Sequence, residues 1–493
     1  MHTMRDLLRD PAWRMEDLGR PIPDSPHACI VCLPTWEAVR GYEEGRSDVM
    51  EVLQAGYPRF FLHPAVSELF ASWERRPGRE GERVLMFPGE AACRRARRFV
   101  EARGGTVCSV EEIDGLWALV TPAASYHAAR AYWRHTGEIV SSRQAEDYAA
   151  NRMTGAGDTD AVRAAMAATM GVPAEDLVLF ESGMAAIFTA CRIVTSLRPG
   201  RRTLQVGLPY VDALKVQEHF GAGVDFVASS GAANLPGAIE ALRAGRYAGV
   251  FCEAPGNPLL NTPDLGQLAE ACRESRTPLV VDDTVCSHAN VDVLPLADLV
   301  STSLTKWVSG VGDVMAGSLK LNPGSPLCGL LRERLYREAP GGSRLYPRDA
   351  KVLVRNAAGF RGRIALANRH GEQVADWLAN QPAIAELRYP KLTDRGRYDQ
   401  LRAAGGGFGG VLSFTLNRPS AAPGVYDALR LSKGPSLGTE YSLACPYTLL
   451  AHYDELDWAE KHGASRNLIR LSVGLEPPET VIAALDEALR LAR

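Results

Sequence analysis

The sequence predicts an α/β protein: a large unit on a mostly parallel sheet, a smaller C-terminal α+β unit and an N-terminal extension. Three observations carry this prediction. From about residue 160 to 330, short apolar strand-like runs (LVLFESG, TLQVGL, VDFVAS, YAGVFCEA, PLVVDD, ADLVSTS, MAGSLKL) alternate with helical patterns, the signature of buried parallel strands joined by crossover helices. At 493 residues the chain exceeds what one hydrophobic core supports, and its 46% apolar content suffices to fill two or three. The last hundred residues or so offer two further strands, GGVLSFTLN and LIRLSVGLE, and a closing amphipathic helix, ETVIAALDEALRLA.

Taken in order, residues 1–135 are rich in proline, tryptophan and arginine, with strand-like runs (RVLMF, LWALV) and an arginine-rich helical pattern, GEAACRRARRFVEARGG. They read as a small mixed α/β extension. Residues 136–350 hold the alternating strands and helices, and residues 351–493 open with a helical stretch from Lys351 to about Asn380 that can link two units. Ten cysteines are scattered through the chain, and only Cys29 and Cys32 form a C-x-x-C. A second ligand pair at usable spacing is missing, so these read as buried thiols of a strand, with no metal site and no disulfide framework expected.

Lysine and arginine total 55 against 58 acidic residues, a net charge of −3, which argues against nucleic acid or an anionic membrane as partner and for a small molecule. No apolar run approaches the length of about 18 that a membrane span needs. The opening MHTMRDLLRDPAWRMEDLG lacks the apolar core of a signal peptide, so a cytoplasmic protein is expected.

Open parallel sheets bind ligands at the carboxyl ends of their strands, and polar residues gather at such ends here. ESGMAAI places small residues where a strand passes into a helix, suited to holding an anion on free amides or to a plain tight turn. LVVDDT ends an apolar strand in Asp282 and Asp283, of which one could hold a protonated ring nitrogen or both could serve the turn. CEAPGNP ends another strand with Asn257, able to donate to a phenolic oxygen or to stiffen the loop. In STSLTK, Ser303 and Thr305 could hold a phosphate with Lys306 as an imine-forming nucleophile, or Lys306 could be solvated. Arg470, in IRLSVGLE, suits bidentate recognition of a carboxylate as well as a structural ion pair.

Together, the ordered series SGM, ExPxNP, VVDDT, SLTK, DVMAG and RLSVGLE resembles the Cys/Met-metabolism family of pyridoxal-phosphate enzymes of fold type I, which includes cystathionine γ-synthases, cystathionine lyases and methionine γ-lyase. The resemblance runs from about Ser141 to the C terminus. The extension and the last third, in PIPDSPHACIVCLPTWEAVRGYEEG, GYPRFFLHP, HTGEIVSSRQAE and SLGTEYSLACPYTLLAHYDELDWA, are most similar to fungal-type cystathionine γ-synthases. The resemblance implies pyridoxal 5'-phosphate as cofactor. It implies that Lys306 forms the imine and carries protons, that Asp282 holds the pyridinium N–H, that Asn257 faces the ring hydroxyl and that Tyr210 stacks on the ring. Amides of Gly183 and Met184, with the hydroxyls of Ser303 and Thr305, would hold the phosphate, and Arg470 assisted by Ser436 the substrate carboxylate. A homodimer or homotetramer sharing its active sites is also implied.

Two departures from the family pattern stand out. Family members present a Tyr-x-Arg from the neighbouring subunit to the phosphate, about thirty residues before SGM; the corresponding DYAANRMTGAGDTDAV has none, and Tyr148 and Arg152 are the nearest candidates. Glu440 and Tyr441 stand where fungal-type members carry Asn-Phe, close in sequence to Ser436, and imply an altered pocket for the substrate side chain. The function expected is γ-replacement on an O-acylated homoserine by cysteine to give cystathionine. The alternative is γ-elimination from a γ-substituted or halogenated unsaturated amino acid, with an alkyne such as propargylglycine as product. A third expectation is a non-catalytic, cofactor-binding regulatory subunit.

Overall fold

The computed structural model describes residues 5–153, 157, 159–229 and 231–493. In the extension, β1 (Pro21–Ile22) and β2 (Ile30–Val31) form a short antiparallel pair. The helix α1 (Trp36–Glu43) follows, its first turn capped by the Thr35 hydroxyl, which accepts from the Ala38 amide at 3.0 Å. After α2 (Pro64–Glu74), the strands β3 (Glu82–Phe87), β4 (Ser109–Ile113) and β5 (Leu116–Pro122) build an antiparallel sheet in the order β3-β5-β4, with α3 (Glu90–Glu101) and α4 (Ala123–Thr136) beside it. Helical spacing explains α3: Ala92, Cys93, Ala96, Phe99 and Val100 turn inward, while Arg94 and Arg97 pair on the outside with Glu90 and Glu101.

The large sheet has the order β6-β12-β11-β10-β9-β7-β8. Its strands are β6 (Leu177–Phe180), β7 (Thr203–Val206), β8 (Val224–Val227), β9 (Val250–Glu253), β10 (Leu279–Asp282), β11 (Leu299–Ser303) and β12 (Gly317–Leu321). Neighbours from β8 across to β11 are parallel, whereas β12 runs antiparallel to both β11 and β6. Between β6 and β7 runs α5 (Gly183–Leu197), buried over most of its length, and between β7 and β8 runs α6 (Val211–Phe220). The extension's aromatic core continues into these helices: Phe99 stacks on Phe220 at 4.7 Å, and Tyr132 meets Phe188 edge-on at 6.0 Å.

The helical stretch after residue 350 is two helices, α7 (Pro347–Ala357) and α8 (Phe360–Leu378). Gly359, a poor helix former, stands at the break, and Pro347 occupies the first turn of α7, where its missing N–H costs nothing. The C-terminal sheet then follows in the order β13-β14-β17-β16-β15, from β13 (Ile384–Arg388), β14 (Val411–Leu416), β15 (Ser432–Lys433), β16 (Leu443–Cys445) and β17 (Ile469–Ser472). A short helix, α9 (Tyr447–Ala451), lies between β16 and β17, and α10 (Pro478–Leu489) closes the chain.

The extension is fastened to this sheet as well. The buried Lys433 amine donates to the carbonyls of Pro34 at 2.7 Å and Asp427 at 2.9 Å, and the Tyr426 hydroxyl donates to that of Leu33 at 2.8 Å. The result is that α1 lies against α9, at the cleft between the large and C-terminal sheets. Among the described residues, no helix is long and apolar enough to cross a membrane.

Candidate active site

A cavity opens where β9, β10 and β11 end, and strand alternation decides which side chain faces it. Asp282 lines it, accepting from the Thr284 amide at 2.8 Å and the Ser301 hydroxyl at 2.6 Å. Its neighbour Asp283 faces the other way, into a buried ion pair with Lys320 at 2.6 Å. Burial raises the Asp282 carboxyl above the ordinary aspartate value against the hydrogen bonds of Ser301 and Thr284, so a cationic group in the cavity would lower it again.

At the start of α5, Ser182 caps the helix by accepting from the Ala185 amide at 3.0 Å. The first backbone bond of the helix runs from Ala186 to Ser182, so the amides of Gly183 and Met184 precede it and have no intrahelical acceptor. Gly183 must be glycine: a Cβ there would stand 2.8 Å from that of Ser303. The Ser303 hydroxyl, buried at the same spot, has no hydrogen-bond partner among the described residues. An orphaned hydroxyl beside a helix N-terminus is a cradle for an anion.

The chain leaves β11 at Ser303 in a turn, and this carries Lys306 into the cavity. Its amine donates to the Ser436 hydroxyl at 2.9 Å and lies 4.6 Å from the centre of the Tyr57 ring. Burial, helped by the positive charges of Arg470 and Arg59, brings its pKa down to about 7. Arg470 arrives from β17 and donates to Asn257 Oδ1 at 2.9 Å and to the Ser436 carbonyl at 2.8 Å, its guanidinium 4.5 Å from the Tyr447 ring centre. Asn257 Nδ2 in turn donates to the Tyr447 hydroxyl at 2.8 Å. Two hydrogen bonds and a ring thus fix the guanidinium, with donors left over for a carboxylate.

Sequence reasoning missed three contributors. The first is Glu253, whose carboxylate accepts from the Tyr210 amide at 2.6 Å and the Asn257 amide at 2.9 Å, coupling two loops of the site. Burial and nearby Asp282 push it up to about 8. The second is Tyr447, described above. The third is Tyr57, from a Tyr57-Pro58-Arg59 run in the extension: its ring lines the cavity beside Lys306, whereas Arg59 does not line it. Arg59, 1% exposed, donates to the Tyr210 hydroxyl and to Asp212 at 2.6 Å, and Asp212 also meets His135 at 2.9 Å. Burial would raise the Asp212 carboxyl, but Arg59 and His135 hold it down to about 2.

Lys306, Asp282, Tyr210, Gly183, Met184, Asn257, Ser303, Ser436 and Arg470 therefore share one cavity, whereas other expectations are corrected. The Thr305 hydroxyl is turned onto Ala316, donating to its carbonyl at 3.2 Å and accepting from its amide at 3.0 Å, because the strand has already ended and alternation no longer applies. Glu440 and Tyr441 do not line the cavity. Glu440 is half exposed and 3.5 Å from Arg363, while Tyr441 donates to the Val311 carbonyl at 3.1 Å and packs among Ile22, Ile30 and Cys32 of the extension. Pairing of Glu440 with Gly310 and Leu475 through the backbone turns both side chains away. Tyr148 accepts from Trp73 at 3.2 Å, and Arg152 lies 3.6 Å from Asp147; neither lines the cavity. Residues 154–156 and 158 of the same stretch lie outside the described residues.

An amine held near neutrality, an anion cradle at a helix N-terminus, a carboxylate for a ring nitrogen and Tyr210 at the wall fit pyridoxal phosphate. Together with the sheet order they define a fold type I enzyme dependent on that cofactor. The family profile described as "Cys/Met metabolism PLP-dependent enzyme" matches residues 119–490, and one described as "Fungal trans-sulfuration enzyme, N-terminal domain" matches residues 65–141. The chain belongs to the Cys/Met-metabolism family of pyridoxal-phosphate-dependent enzymes, and pyridoxal phosphate is its cofactor. It is 31% identical to a cystathionine gamma-synthase of Neurospora crassa, over 97% of this chain and 98% of that protein. It is also 31% identical to an L-2-amino-4-chloropent-4-enoate dechlorinase/desaturase of Streptantibioticus cattleyicolor, over 95% and 97%. Among solved structures it resembles a cystathionine gamma lyase from Micromonospora echinospora, with a TM-score of 0.60 and 25% identity over 68% of this chain and 87% of that one.

Proposed function

We propose that the protein catalyses γ-replacement, joining an O-acylated homoserine to cysteine to give cystathionine. One observation carries the reading: a lysine amine with a pKa near 7 and a fixed guanidinium, Lys306 and Arg470, share one cavity and are bridged by Ser436. Bound in the cavity, pyridoxal phosphate supplies the electron sink that acidifies first the Cα and then the Cβ proton of an amino acid. In this reading Arg470 takes the α-carboxylate with its remaining donors, which orients the Cα proton toward Lys306. The Lys306 amine, with a pKa close to the working pH, accepts that proton and serves Cβ in turn. Ser303, with the Gly183 and Met184 amides, would hold the phosphate, and Asp282 would keep the ring nitrogen protonated. Glu253 keeps Tyr210 and Asn257 in register around the ring. Likeness over nearly the whole chain to the Neurospora crassa cystathionine gamma-synthase supports the choice of reaction. The assembly expected is a homodimer or homotetramer, which light scattering measures.

The Streptantibioticus relative supports a second reading, γ-elimination from a halogenated unsaturated amino acid to leave an alkyne. Incubation with O-acetyl- and O-succinylhomoserine, with and without cysteine, decides between them. Cystathionine with cysteine and slow release of a 2-oxo acid without it are expected. No turnover of either ester overturns the first reading, and chloride release from a 4-chloro-4-enoate then favours the second.

A further inference from the structure

The cavity has a wall that the catalytic residues leave to the extension. Glu43, the last residue of α1, lines it together with Phe60, and Arg134 of α4 lines it too. The other charged residues of the lining are already engaged: Glu253 and Asp282 accept from backbone amides, while Lys306 and Arg470 donate to Ser436. Among the described residues, by contrast, no ion pair joins Glu43 to Arg134, and Arg134, an exposed residue, sets its guanidinium 4.8 Å from the centre of the Phe60 ring. Burial pushes the Glu43 carboxyl up to about 8, against the opposing pull of Arg134. An arriving ammonium group would bring it back to the ionised form. A carboxyl group and a cation thus line the same space, and among the described residues no ion pair joins them.

The proposed reaction needs such a pair. Cysteine must enter as a zwitterion while Arg470 is already occupied by the carboxylate of the first substrate, so its ammonium and carboxylate need partners of their own. We propose that Glu43 and Arg134 form the docking subsite for the second substrate, with Glu43 taking the ammonium and Arg134 the carboxylate of an α-amino-acid thiol. The inference rests on the γ-replacement reading. In that reaction the Cγ–O bond to the acyloxy group breaks, a Cγ–S bond forms, and the thiol proton leaves with the carboxylic acid. The extension would then provide a binding wall for the nucleophile as well as a brace.

The test measures thioether formation by the holoenzyme with saturating O-acetylhomoserine and either cysteine or 2-mercaptoethanol, a thiol without the zwitterion. Elimination without any thiol is followed in parallel. Glu43→Gln and Arg134→Met should each raise the KM for cysteine by about tenfold, the effect of one charge-assisted contact. The KM for 2-mercaptoethanol and the rate of elimination should stay within about twofold. A cysteine KM unchanged in both variants overturns the proposal, as does an Arg134→Met variant that weakens O-succinylhomoserine instead. If the parent enzyme makes no thioether with either thiol, the γ-replacement reading itself fails and this subsite falls with it; that failure shows in the parent, whereas failure of the subsite alone shows only in the variants.

Discussion

Replacing Lys306 by methionine should stabilise the apoenzyme, and only at low and neutral pH. The amine is held at about 7 in the folded chain, mainly by burial, against 10.5 for an ordinary lysine. Between these values the unfolded chain carries an ammonium where the folded chain carries a neutral amine. The unfolded state therefore binds more protons, and stability rises with pH across that window. Lys306 costs stability in full below pH 7, and the cost vanishes as the pH climbs through 10.5. The displacement corresponds to about 5 kcal/mol. Solvent reaching the cavity screens part of this, leaving about 3 kcal/mol. Urea denaturation of parent and Lys306→Met apoenzymes reads it directly: the variant should be more stable by about 3 kcal/mol near neutrality, and that part of its advantage should disappear near pH 10.5. A difference between the two proteins that does not change with pH would show that the lysine is not desolvated in the folded chain.

Three further outcomes follow from the same geometry. Arg59→Met leaves the buried Asp212 carboxylate with His135 as its remaining ion-pair partner among the described residues, so the holoenzyme should lose about 3–5 kcal/mol in chemical denaturation; a loss below about 1 kcal/mol would refute the tie between extension and sheet. Ser303→Ala removes a hydroxyl with no partner among the described residues, so the fold should be untouched while cofactor affinity falls by about tenfold in equilibrium dialysis. Arg470→Lys gives up the planar fork, and the KM for the amino acid should rise at least about tenfold with the bound cofactor's colour retained; an unchanged KM would move the carboxylate site elsewhere.

Most of the site was legible because its chemistry sits at the carboxyl ends of consecutive parallel strands. The strand-end pattern pointed to Asp282, Asn257 and Ser303 as candidates, and to Gly183 at the helix that follows β6, while the roles given to them came from the family resemblance. What stayed hidden depended on orientation or on distance along the chain. Nearness in sequence to Ser436 suggested that Glu440 and Tyr441 enter the pocket, but a backbone turn reverses them. The sequence pairs Thr305 with Ser303 at a phosphate, but β11 ends at Ser303 and the Thr305 hydroxyl turns onto Ala316. The single helix expected after Lys351 is broken at Gly359, where weak propensity meets the need to change direction. Tyr57 lines the site from about 125 residues upstream of SGM, with Arg59 behind it on Tyr210 and Asp212, and the packing of the extension on α5 and α6 brings them there.

The central claim is that Lys306 is the cofactor's anchor, and reductive trapping tests it most directly. Borohydride treatment of the holoenzyme, digestion and mass spectrometry should place the pyridoxyl group on the peptide containing Lys306, with Lys306→Ala unlabelled, inactive and folded. A pyridoxyl group on any other lysine, or turnover surviving in Lys306→Ala, would contradict the account.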